Sequence, residues 1–174
     1  ESAKLSLGED FNLGQLALDI SEEQESVEAI ACYKARVAYS TICRAVICDD
    51  SGFVIPSLNG YPGIKVGREL KEKGINHFLE LAKPDPLEAY WIMALTYLDS
   101  SLSEPKIFIS KREGYLISEM RGDLNKPFIK SSLNGCYILA GQSKTIAEMT
   151  EEEFKRCASS NRWQELKDYL KNKS

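Results

Sequence analysis

At 174 residues, with 43% hydrophobic and 28% charged side chains, the chain has the size and make-up of one soluble globular domain. A net charge of −4 argues against a general nucleic-acid binder, which carries a basic face. No apolar run approaches the ~18 residues of a membrane-spanning helix, so no membrane association is expected.

In chain order, residues 1–8 read as the end of a helix stopped at Gly8, and Phe11 to Leu18 as a short strand. Over 26–41, Val27, Ile30, Ala31, Lys34, Val37 and Ala38 recur at helical spacing. Strands are predicted at about 44–49 and 52–56, with Ser51-Gly52 turning the chain between them. The Gly- and Pro-rich loop 59–63 leads to a helix over about 66–82, closed by Pro84 and Pro86. Tyr90 to Leu98 is a central strand. Pro105 to Ser118 reads as two strands that turn near Arg112-Glu113-Gly114. A loop carrying Arg121-Gly122-Asp123 and Lys126-Pro127 precedes a strand at 135–139. Helices of about 150–158 and 161–172 finish the chain. Strands and helices interleave, with hairpins in the middle, so the expected class is α/β with a mixed sheet in a single domain spanning 1–174.

Five scattered cysteines (Cys32, Cys43, Cys48, Cys136, Cys157) include no CxxC pair. They read as reduced, mostly buried thiols of a cytoplasmic protein, and no secretory leader opens the chain. With only His77 beside them, a zinc site is not expected.

The most informative stretch is Asp49 to Gly63: Asp-Asp-Ser-Gly-Phe-Val-Ile-Pro-Ser-Leu-Asn-Gly-Tyr-Pro-Gly, followed by Arg68. Two adjacent carboxylates placed where a buried strand ends are suited to hold Mg²⁺ against phosphates and to polarise a water. The same tetrapeptide is also ordinary turn chemistry. Residues that alternate on a strand point to opposite sides, so one carboxylate alone belongs at a site; Asp50 is favoured, and Asp49 reads as a turn cap.

The stretch resembles the inosine triphosphate pyrophosphatase family, whose pattern is a hydrophobic strand, Asp/Glu-Asp-Ser-Gly-Leu, then Leu-x-Gly-x-Pro-Gly and a nearby Arg or Lys. Lys34-Ala35, Lys144-Thr145-Ile146-Ala147-Glu148-Met149 and Ser160-Asn161-Arg162 resemble further family motifs in the right order, and the likeness runs from about Phe11 to Leu170. The resemblance implies a long, twisted mixed sheet with flanking helices and two lobes around a nucleotide cleft. It implies a homodimer that hydrolyses non-canonical purine nucleoside triphosphates, with Mg²⁺, to a monophosphate and pyrophosphate. Asp50 falls on the catalytic, metal-binding carboxylate. Lys34 and Arg68 fall on phosphate-binding cations, and Ser160, Asn161 and Arg162 on the segment that reads the base and holds phosphate. Arg156 stands near a family lysine. Each has an ordinary alternative: a solvated helix lysine for Lys34, a helix cap for Ser160. His77 reads as a packing residue.

The chain departs from the pattern at four places. The family's opening phosphate-gripping loop is not in this sequence. The family's metal-binding Glu falls on Ala29; Glu28 is adjacent as a substitute ligand, but on a helix it points about 100° away. The base-stacking aromatic segment reads Ser131-Ser132-Leu133-Asn134, leaving Asn134 to contact the base, and the family His is Asn161. These changes keep a second reading open, a catalytically weakened member that binds a nucleotide or a protein partner. A phosphatase of other nucleotides is a third.

Overall fold

The computed structural model describes residues 7–8, 11–18, 20, 24–157 and 161–173. Its strands are β1 (Val46–Val54), β2 (Pro62–Gly63), β3 (Leu87–Leu98), β4 (Lys106–Leu116) and β5 (Tyr137–Leu139). Its helices are α1 (Val27–Ile42), α2 (Val66–Leu81, broken by a kink at Gly74, where φ is 73°), α3 (Glu151–Cys157) and α4 (Asn161–Lys173). The strands form one sheet in the order β2-β1-β3-β4-β5, with β1–β2 and β4–β5 antiparallel. The expected α/β class is therefore observed.

The chain divides into two compact units. The first comprises Glu1–Ser51, Met93–Ser110 and Ser160–Ser174; the second comprises Gly52–Ile92 and Lys111–Ser159.

In the first unit, two helices cover opposite faces of the strands. Ser26 starts α1 by accepting the Ala29 N–H at 3.1 Å, and Cys43 ends it in the left-handed region at φ 50°. The buried stripe of α1 (Val27, Ile30, Ala31, Ala35, Ala38) follows helical spacing. Ala35 and Ala38 pack with Val46 and Leu98. On the other face, Leu166 and Leu170 of α4 pack with Leu95, Tyr97 and Phe108. The fully buried Thr96 hydroxyl has backbone carbonyl partners in Ala31 (3.1 Å) and Cys48 (3.3 Å), which ties α1 to two strands. At the far end of α4, Lys173 pairs with Asp99 at 2.7 Å, and Asp99 also accepts from Tyr97 and Ser101. Burial alone would raise the Asp99 carboxyl, but these donors hold it well below the usual carboxylate range.

The second unit has its own core, built on Phe53, Phe78, Leu116, Leu133, Tyr137 and Ile146. Phe53 meets Trp91 and Tyr137 with ring centroids 5.0 and 5.4 Å apart. The buried Tyr137 hydroxyl donates to the Ala89 and Arg112 carbonyls at 3.1 and 2.7 Å.

Four expectations are corrected. Residues 11–18 form no strand: most of these side chains are exposed, so little burial rewards an extended pairing. Ser51-Gly52 is not a turn; β1 runs straight through it, because Phe53 and Val54 continue the ladder against Gly63 and Pro62. Nor does Arg112-Glu113-Gly114 turn the chain. β4 is continuous there, and Gly114 allows a close approach: a Cβ would strike the Ile138 carbonyl and the Tyr137 ring. Finally, only Cys136 is fully buried, whereas Cys43 and Cys157 are exposed; all five thiols are free, as expected.

Gly114→Ala is expected to destabilise the protein by about 1–3 kcal/mol through overpacking. Gly67→Ala, in open space in the first turn of α2, should be neutral or stabilising by up to about 1 kcal/mol. Urea unfolding midpoints at constant slope measure both.

Candidate active site

Because β1 is continuous, Asp49 and Asp50 lie within it rather than at its end, and the expected strand-end placement is corrected. The alternation of side chains still separates them. Asp50 faces α1, where its Oδ2 takes the Lys34 ammonium at 2.5 Å. Asp49 faces α4, where its Oδ2 takes the Arg162 Nη2 at 3.1 Å. Asp49 is thus an ion-pair partner, not a turn cap. Asp50 makes the local backbone contact instead, its Oδ1 accepting the Ser51 N–H at 2.7 Å.

The Lys34–Asp50 pair is half-buried, at 23% and 15% side-chain exposure. Both side chains therefore keep some contact with solvent. The Cys48 thiol lies close by. Burial pushes it up to about 11, the Lys34 ammonium draws it down and the Asp50 carboxylate raises it. A thiol raised in this way is mostly protonated at neutral pH.

Arg162 is buried, and its Nη1 also reaches Ser110 Oγ at 3.3 Å and Met93 Sδ at 3.5 Å. The sequence singles out neither Ser110 nor Met93, and Asp49 reads from it only as a turn cap. Asp49 and Arg162 stand 113 positions apart, and no local pattern joins them.

The second unit carries Arg68, Asn134 and Arg156. Arg68 is exposed in the first turn of α2. The loop before it is tied to that helix by Tyr61, whose hydroxyl donates to Glu69 at 2.5 Å and lies 2.9 Å from His77 Nε2. Lys73 pairs with Glu69 at 2.6 Å. Burial, then the Glu69 contact, raises the Tyr61 phenol; Lys73 and Tyr61 lower the Glu69 carboxyl. His77 does pack, edge-on against Tyr61 and Phe78, and it also takes part in this network. Asn134 is buried in a short 3-10 turn. Arg156 is exposed on α3, and Asn161 is exposed as the first residue of α4. Ser160 lies outside the described residues.

The Lys144–Met149 motif is structural here. Thr145 and Glu148 form a capping box, and the Lys126 ammonium donates to the Ala147 and Met149 carbonyls at 2.6 and 2.8 Å.

Among the described residues, no three His, Cys, Asp or Glu side chains gather to hold a metal ion by themselves. Mg²⁺ does not require such a cage: it commonly takes one or two carboxylates, several waters and the oxygens of a phosphorylated substrate. Asp50 fits that donor set. Glu28 is on the helix that carries Lys34, about 120° around it from that residue.

Fold and site together define an α/β protein that presents a paired lysine and carboxylate suited to a phosphorylated ligand. The family model described as the Ham1 family matches residues 3–169. A dITP/XTP pyrophosphatase of Saccharolobus solfataricus is 33% identical over 140 residues, covering 79% of this chain and 68% of that protein. An inosine triphosphate pyrophosphatase of Aspergillus fumigatus is 28% identical over 156 residues, covering 88% and 78%. The Staphylococcus aureus Ham1 protein superposes with a TM-score of 0.76 at 22% identity, covering 90% of this chain and 82% of that one, which shows the same fold. The chain belongs to the Ham1 family.

Because the Cys48 thiol is partly buried and raised, iodoacetamide at pH 8 should label the exposed Cys43 and Cys157 first. Cys48 should stay largely unlabelled until the protein is denatured, since a thiol near 11 is thiolate to only ~10⁻³ at that pH. Peptide mapping by mass spectrometry reads the order.

Proposed function

We propose that this chain hydrolyses non-canonical purine nucleoside triphosphates, such as those of inosine and xanthosine, to the monophosphate and pyrophosphate. The observation that carries the reading is the Lys34–Asp50 contact at 2.5 Å on the facing sides of α1 and β1. The names of the relatives, dITP/XTP and inosine triphosphate pyrophosphatase, support it.

In this reading Asp50 orients the attacking water and accepts its proton. Lys34 moves from Asp50 to the phosphates and neutralises charge that builds on their oxygens. Mg²⁺, when bound, would be held by Asp50 and the substrate's own oxygens, with Glu28, the neighbour of the family's ligand position, as a substitute ligand, and would add charge neutralisation. Arg68 meets phosphate from the first turn of α2, where the helix N-terminus adds positive potential. Asn134, Arg156, Ser160, Asn161 and Arg162 complete the contacts to base and phosphate. Residues 1–174 act as one functional domain, in the cytoplasm.

We further propose a homodimer. Ile107 and Ile109 are exposed on the same side of β4, a small apolar patch flanked by Lys111. Light scattering should give a dimer, and Ile109→Lys should shift it toward monomer. A wild type that stays monomeric at high concentration would count against the interface.

Purified protein with Mg²⁺ or Mn²⁺ should release pyrophosphate from inosine or xanthosine triphosphate faster than from ATP. Asp50→Asn should cut kcat by about 10²–10³, because the amide keeps the shape and loses the charge that orients water and cation. Ala29 at the family's metal-ligand position also suits a weakened member that only binds nucleotide. Thermal stabilisation by these nucleotides, with no pyrophosphate across the panel, would favour that second reading.

A further inference from the structure

Asp49 is the neighbour of the proposed catalytic carboxylate, yet it faces the other way. Its Oδ2 lies 3.1 Å from Arg162 Nη2, while Nη1 of the same guanidinium lies 3.3 Å from Ser110 Oγ and 3.5 Å from Met93 Sδ. One planar fork from α4 is therefore held by side chains of β1, β3 and β4. Arg162 is only 7% exposed, whereas the Asp49 side chain is 36% exposed, so this carboxylate links the surface to a buried charge.

Ion pairs of this kind add little net stability over apolar packing, but they fix geometry well. A guanidinium is suited to that use. Its donors form a rigid fork, and orienting the plane once orients every hydrogen bond it makes. The pairing also links two elements at a useful place: β1 carries Asp50 on its other side, and α4 begins one residue before Arg162 with the exposed Asn161.

We propose that Asp49 is a positioning residue, holding the Arg162 guanidinium in the orientation in which it meets the purine nucleotide. This rests on the triphosphate reading above. Both members of the Asp49–Asp50 pair then serve the site, one by contact and one through the arginine.

The test compares wild type, Asp49→Asn, Asp49→Glu, Arg162→Lys and the double variant Asp49→Asn/Arg162→Lys. Steady-state kinetics with inosine triphosphate and calorimetric binding of the same nucleotide are both measured. Asp49→Asn should raise KM and Kd about tenfold or more with kcat within about threefold, the pattern of lost binding rather than lost chemistry. Asp49→Glu, which keeps the charge, should restore most of the affinity. In the Arg162→Lys background, Asp49→Asn should add little, since two residues acting through one group are non-additive.

Ser110→Ala removes a contact to the same guanidinium without touching a charge, and should raise KM and Kd about two- to fivefold. It decides the matter if Asp49→Asn fails to fold. An Asp49→Asn protein with lowered Tm but KM and Kd within twofold of wild type would overturn the proposal, as would fully additive effects of the two single variants. Should the wild type bind inosine triphosphate without hydrolysing it, the hydrolysis reading fails and the Kd ratios alone judge Asp49. A wild type that neither binds nor hydrolyses any purine triphosphate sinks both.

Discussion

Neighbouring side chains on an extended strand leave on opposite faces, and the site of this protein depends on that constraint at Asp49 and Asp50. With α1 packed on one face of β1 and α4 on the other, a dipeptide of like charges becomes two separate ion pairs. Placed side by side on one face, the two carboxylates would repel and one would tend to take up a proton. Split between faces, each has its own cation. A one-residue slip of β1 would exchange Lys34 for Arg162 as the partner of Asp50, so the apolar packing of Val46 against α1 and of Ile47 toward α4 sets the electrostatics.

The same economy recurs elsewhere: polar side chains that reach across elements hold the framework while apolar packing supplies its bulk. Thr96 joins α1 to β1 and β3 in the first unit. In the second, Tyr137 bonds two carbonyls, Lys126 satisfies the end of a 3-10 turn, and Tyr61 ties its loop to the helix that carries Arg68. Each closes a buried or half-buried hydrogen-bonding requirement that would otherwise weaken the fold. The two kinds of motif residue also separate here. Lys34, Asp50 and Arg68 keep side chains open enough to meet a ligand. Thr145 donates its hydroxyl to the Arg121 carbonyl and Glu148 accepts the Thr145 N–H, so these motif residues hold the local backbone.

The helices and the long central strand were legible in the sequence, because periodic burial is a local property: α1, α2, α3, α4 and β3 fall within a few residues of the expected spans. The preference for Asp50 over Asp49 was legible for the same reason, since alternation follows from backbone geometry alone. Ser51-Gly52 and Arg112-Glu113-Gly114 carry turn residues, yet both run on as strand. Glycine permits a turn without requiring one, and pairing of Phe53 with Gly63 and of Gly114 with Leu139 outweighs the local preference. Only the tertiary structure decided that Asp49 meets Arg162, that Ser110 and Met93 join them, and that Gly114 exists for the close approach of Tyr137 and Ile138. Those contacts link positions distant in the chain, and their partners are chosen by how helices and strands pack, which no local pattern of residues encodes.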